Sequence, residues 1–227
     1  MPMLLRLLWW RIRYGVWYLG WRISFAIARG STLHGVKVKL APVLDEEIGT
    51  RALEKVEAAL DLIAEHDPRR MSRIARDLRW IWIQRAAYAP AYFIKDLRLC
   101  VLDRAYIVAD STPPAMIAVS IVHEAAHARL FSRDIPYPAP ARPRIEAVCD
   151  AQSAEFARRL PDGEPLVRRI LEGRPADVTH WSDDKLDRRM ADAKHAEFEA
   201  TRQELEASDL PAWLKRMLHK MIRSRAA

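Results

Sequence analysis

Between Ile121 and His127 the chain reads Ile-Val-His-Glu-Ala-Ala-His, which is H-E-x-x-H. On a helix, four residues turn through about 400°, so His123 and His127 project from one face with their rings about 6 Å apart. That span suits two imidazoles on a single tetrahedral zinc ion. Glu124 is rotated about 100° from His123, placing its carboxylate beside the metal, where it can take a proton from a bound water without being a ligand itself. The two intervening alanines keep bulk and charge away. A catalytic zinc needs a third protein ligand and an open position. Eighteen residues separate His127 from Glu146, which is followed four residues later by Asp150. On one helix these two carboxylates share a face. Glu146 is then the candidate third ligand, and Asp150 the acceptor for the spare N–H of a ligand histidine, which orients the ring.

The long metzincin pattern is excluded, because Leu130 and Arg133 stand where it needs Gly and His. His123, His127 and Glu124, together with Glu146-x-x-x-Asp150, instead resemble the gluzincins, zinc peptidases that join H-E-x-x-H on one helix to a Glu on the next. The resemblance covers about residues 113–150. It implies His123, His127 and Glu146 as zinc ligands, Glu124 as general base and Asp150 as the partner of a ligand histidine. It further implies a peptide or protein substrate. Such chemistry needs a donor for the developing oxyanion, and Tyr137, ten residues after His127, is the candidate. His180, His195 and His219 are alternatives with less to recommend them.

The elements that must hold these residues are legible in part. Val36–Leu40 alternates apolar residues with Lys and reads as a strand. Asp45 with Glu46 and Glu47 opens a helix whose stripe runs from Ile48 to Ile63 and stops at Asp67-Pro68. A short helix through Met71, Ile74 and Leu78 leads to Trp80–Ile83, apolar on both faces like a covered strand. Tyr92–Ile94 and Leu97–Val108 read as further strands, with Lys95-Asp96 as the turn. Within the second run, Leu99–Val108 is the candidate for pairing with a substrate's main chain. Ser111-Thr112-Pro113-Pro114 reads as a hydroxyl-capped helix start. Helices follow over about 114–131, 143–160, 164–172, 182–207 and 211–224. The expected fold is α+β, a small zincin-like sheet followed by a mainly helical half.

The chain has 227 residues, half of them apolar, enough for one ordinary domain with a real core. Its formal charge of +7 is unevenly placed. Residues 1–29 carry five Arg and no acid, and residues 211–227 carry five basic residues and no acid, leaving 27 basic against 30 acidic groups between them. A mildly acidic body argues against nucleic acid as a partner. Three parts are expected: a cationic Trp-rich segment over 1–29, a metallopeptidase-like domain over 30–210 and a basic amphipathic helix over 211–227. Trp9, Trp10, Trp17 and Trp21 among arginines match the membrane–water interface. A helix packed on the domain, or a cleaved or spanning segment, are the other readings of that stretch. The two cysteines, Cys100 and Cys149, form no disulfide framework and suit a reducing compartment. The expected location is therefore cytoplasmic, or peripheral at the inner face of an anionic membrane. The rival to a zinc peptidase is a membrane-surface adaptor in which HEAAH is coincidental; a zinc hydrolase acting on other substrates is a third class.

Overall fold

The computed structural model describes residues 28–41, 45–86, 89–173, 180, 182–207, 211–213 and 215–216. The N-terminal Trp-rich segment up to residue 27 and most of the C-terminal basic helix lie outside the described residues, and with them the membrane readings made for both ends. Among the described residues, no helix is long and apolar enough to cross a membrane.

The described chain is mixed α and β. It opens with a hairpin, β1 (Arg29–Leu33) and β2 (Val36–Leu40), paired antiparallel. Its two-residue turn has positive φ at both His34 (48°) and Gly35 (81°), which matches the right-handed twist of the flanking strands. Two helices then cross over: α1 (Glu46–His66) and α2 (Pro68–Asp77). Asp45 caps α1 by accepting from the amides of Glu47 and Ile48. Asp67 ends α1 and caps α2 through the Arg70 amide, with Pro68 at the first turn.

The crossover returns the chain to β3 (Trp80–Gln84), parallel to β2, and β5 (Leu99–Asp103) is parallel to β3. Between them in sequence, β4 (Ala91–Ile94) pairs antiparallel with β5, giving the order β1-β2-β3-β5-β4. The run Leu97–Val108 is therefore not one strand. It divides into β5 and a short helix, α3 (Arg104–Val108), because the Asp103 carboxylate accepts from the amides of Ala105 and Tyr106 and so nucleates a turn of helix. The polar strand β1 was not anticipated by the sequence pattern.

Alternation divides the sheet's two faces. Val36, Val38, Leu40, Ile81, Ile83, Cys100 and Leu102 point into the main core, where α1 contributes Val56, Leu60 and Ile63. The opposite face carries Trp82, Leu99 and Val101, with Ala28 and Ala86 beside them. The helix α4 (Pro114–Phe131) is apolar around most of its circumference, as a buried helix must be, and sets Ile117, Ala118, Ile121 and Val122 in the main core. Its N-terminus departs from expectation. Pro113 is the capping position and makes no side-chain cap bond. The Lys55 ammonium instead binds the carbonyls of Ala109 and Thr112, at 2.7 and 2.9 Å, and fixes the loop that leads in. After a connection from Ser132 to Ala141, α5 (Arg142–Ala157) packs along α4, followed by α6 (Glu164–Glu172) and α7 (Asp183–Ala207).

Candidate metal centre

The facing surfaces of α4 and α5 bring together the residues that the sequence singled out. His123 Nε2 lies 3.2 Å from Glu146 Oε2 and 3.2 Å from His127 Nε2, and His127 Nε2 lies 3.4 Å from Glu146 Oε1. The two histidine nitrogens therefore face the Glu146 carboxylate together, each meeting a different one of its oxygens. Tetrahedral zinc with bonds of about 2.0–2.1 Å places neighbouring donor atoms about 3.3 Å apart. The spacing of the two histidine nitrogens, and that of each from its own Glu146 oxygen, is of that size.

The surrounding bonds set the donor chemistry. His123 Nδ1 faces Asp150 Oδ1 at 3.3 Å, so Asp150 occupies the place expected of the carboxylate that orients a ligand histidine. With the proton on Nδ1, the lone pair of Nε2 is directed at Glu146 and His127, an arrangement that a cation between them satisfies. Without a metal, a proton does so. Burial pulls the His123 imidazole down, but hydrogen bonds to Asp150 and Glu146 and the nearby Glu124 charge outweigh it and raise its pKa to about 10. Burial pushes Glu146 up, yet the two histidines and the Tyr137 hydroxyl hold its carboxyl well below the usual range.

Glu124 is 6% exposed, and among the described residues no hydrogen bond or ion pair engages its carboxylate. Burial raises its pKa, the two histidines oppose the rise, and Glu146 adds to it. A mostly buried carboxylate beside the histidine pair is one whose surroundings raise its affinity for a proton.

Tyr137 is placed differently from expectation. Its hydroxyl donates to Glu146 Oε1, and Arg142 stacks over its ring with the guanidinium carbon 5.5 Å from the centroid. In this arrangement Tyr137 braces the candidate third ligand, so its hydroxyl is engaged before any oxyanion could claim it. Its pKa is raised by burial and by the Glu146 charge.

Cys149 was read from sequence only as a buried thiol. Its Sγ and one nitrogen each of His123 and His127 lie within 4.8 Å of one another. A thiolate and an imidazole on one zinc would stand about 3.6 Å apart, inside the 4.8 Å that contains these three atoms. Burial, then Glu146, Glu124 and Asp150, push its thiol up and disfavour the thiolate that binds metal. The signal was available: Cys149 is three residues after Glu146, on the adjoining part of the same helical face.

The proposed substrate strand needs correction. β5 is flanked by β3 and β4, so both of its edges are already hydrogen-bonded. Among the described strands the edge on this side is β4, which packs against α4 and whose Phe93 meets Phe131 with centroids 6.2 Å apart. His180 is bonded to Arg189 and His195 sits on α7, and neither joins a metal-ligand cluster among the described residues; His219 is outside the described residues. No family model, no curated protein and no solved structure matches this chain.

Proposed function

We propose that the protein is a zinc-dependent hydrolase, most simply a peptidase acting on an amide bond, with His123, His127 and Glu146 as the metal ligands and Glu124 as general base. The observation that carries this reading is the convergence of the two histidine nitrogens, 3.2 Å apart, on the Glu146 carboxylate, whose Oε2 lies 3.2 Å from His123 and whose Oε1 lies 3.4 Å from His127. Held by these residues, zinc would supply a Lewis acid and would lower the pKa of a bound water to about 7.

The chain's own residues do the rest. The Glu124 carboxylate accepts a proton from the attacking water as the water oxygen bonds to the carbonyl carbon. It then returns the proton to the amine nitrogen as the C–N bond breaks. Asp150 holds the His123 ring with Nε2 turned inward, and Tyr137 holds Glu146. The outer edge of β4, which borders α4 among the described strands, is the candidate for pairing with an extended substrate.

A second reading comes from Cys149. Were its thiolate to join the two histidines and Glu146, the four ligands would close the site, and the zinc would be structural. Zinc content and hydrolysis measured together separate the two. The catalytic reading expects about one zinc per chain and cleavage within a general peptide library, resolved by mass spectrometry. It also expects both to disappear in His123→Ala. Protein that stays free of metal when grown and purified with added zinc overturns both readings and leaves the membrane-surface adaptor.

A further inference from the structure

A second concave site lies on another side of α4. It is a cleft of about 400 Å³ between α2, α4 and α5, with walls that include Arg70, Arg73, Arg129 and Arg133. Neither histidine of the metal centre lines it, nor does Glu146. Arg129 is six residues beyond His123, about 120° away around the helix. The volume is that of a small-molecule site.

Two acids also line this cleft, Asp77 and Glu155, but both are engaged. Asp77 takes the Arg76 guanidinium through both oxygens, at 2.9 and 3.1 Å. Glu155 is held by Arg159 at 2.9 Å and by Arg70 at 3.2 Å. Arg70 is in turn fixed by Asp67 at 2.8 Å and by the Gln152 side chain at 3.1 Å. Three cations are left over. Among the described residues, Arg73, Arg129 and Arg133 have no ion-pair or side-chain hydrogen-bond partner. Nη1 of Arg129 is buried and makes no hydrogen bond.

Both features are unfavourable by themselves. A guanidinium N–H removed from water without an acceptor forfeits its solvation, and like charges facing one another repel. Burial, followed by the charges of Arg133 and Arg73, weakens the hold of Arg129 on its proton, while Asp77 opposes the shift. One oxyanion in the cleft would reverse both penalties. The planar fork of Arg129 suits two-point binding of phosphate or carboxylate, and Arg73 and Arg133 supply further charge at the mouth. Ala125, Ala126 and Val148 give the cleft small and apolar walls, leaving room for the body of a compound that carries the anion.

We propose that this cleft binds a small oxyanion-bearing ligand, a phosphate or carboxylate compound, gripped by Arg129 with Arg73 and Arg133 around it.

The test uses the full chain with inorganic phosphate and succinate as separate probes, at constant ionic strength set by sodium chloride. Isothermal calorimetry and thermal melting are read on wild type, Arg129→Gln, Arg133→Gln and Arg51→Gln. The last is a control, because Arg51 pairs with Asp110 outside the cleft. Expected is saturable binding of at least one probe to wild type and to Arg51→Gln. It should weaken by about tenfold or more in Arg129→Gln, since a charge-assisted bond is lost. Arg133→Gln, altered at an exposed position, should weaken it by a smaller factor, and it carries the test if Arg129→Gln does not fold. Phosphate binding alone assigns a phosphate compound, and succinate binding alone a carboxylate. In probe-free chloride buffer, Arg129→Gln should melt no lower than wild type. The proposal is overturned if neither probe binds, or if binding is equal in all four proteins, which would place the anion elsewhere. A folded Arg129→Gln that melts below wild type in chloride would also overturn it, by showing that Arg129 is satisfied without a ligand.

Discussion

Replacing Glu146 and Cys149 one at a time decides which side chain completes the proposed metal site. Glu146→Gln keeps shape but substitutes a neutral amide for a carboxylate whose Oε2 lies 3.2 Å from His123 Nε2 and whose Oε1 lies 3.4 Å from His127 Nε2. Loss of a residue that only orients a ligand costs roughly 10–100-fold in affinity. Loss of a ligand charge should cost more, so at least about 100-fold is expected, or about 2.7 kcal/mol. Cys149→Ser removes a thiol whose group with the histidines spans up to 4.8 Å and whose ionisation the surrounding carboxylates oppose. It should change zinc affinity by less than about threefold, within the scatter of contextual effects on packing. Zinc affinity is measured by competition with a chromogenic chelator. Cobalt substitution provides an independent readout, because a thiolate ligand adds a sulfur-to-cobalt charge-transfer band that an oxygen ligand lacks. A Cys149→Ser protein that loses zinc as severely as Glu146→Gln, together with that band in wild type, would refute the Glu146 assignment and favour a structural centre.

Glu124→Gln should keep its zinc while turnover falls by at least about 100-fold, because the amide cannot accept the water proton at neutral pH; metal analysis beside a peptide-cleavage assay checks this. Asp150→Ala should weaken zinc binding roughly 10–100-fold by freeing the His123 ring. Tyr137→Phe should lower zinc affinity by a factor of about ten, and a loss of activity at full zinc occupancy would instead return its hydroxyl to the oxyanion role. The Asp67 carboxyl is held below its ordinary pKa: burial opposes this, but Arg70 and Arg159 outweigh it. It therefore contributes stability that is present above the unfolded value of about 3.9 and is lost as pH falls through the lower folded value. Asp67→Asn should lose roughly 3 kcal/mol at neutral pH and show a shallower further decline below about pH 4 in urea titrations.

The site was legible because helical periodicity converts spacing into direction. His123, His127, Glu146 and Asp150 stand at four-residue intervals within two helices, and the structure turns both pairs toward each other. Helix ends marked by Pro, Asp or Gly were legible for the same local reason; the expected 114–131, 164–172 and 182–207 meet α4, α6 and α7 to within a residue. What escaped were features set by tertiary pairing. The strand β1, Arg-Gly-Ser-Thr-Leu, has no apolar alternation and is a strand only because β2 lies beside it. Ala-Tyr-Ile-Val in α3 has strand-like composition, which the Asp103 cap overrides. The arginine cleft draws on three helices, and nothing in a chain with 37 basic residues marks Arg73, Arg129 and Arg133 as neighbours.

The pairing of α4 with α5 also bears on the order in which the molecule assembles. The parallel pairing of β2 with β3 has to wait for the intervening helical crossover to close, whereas α4 and α5 are joined by the short stretch from Ser132 to Ala141. Contacts of low sequence separation form fastest, because little chain entropy is lost in closing a short loop. The histidines and Glu146 all belong to this helical hairpin, so a metal ion captured early would staple it before the sheet is complete. Native-state hydrogen exchange should then show the amides of both helices gaining protection on zinc binding, with those of the outlying β1 changing least.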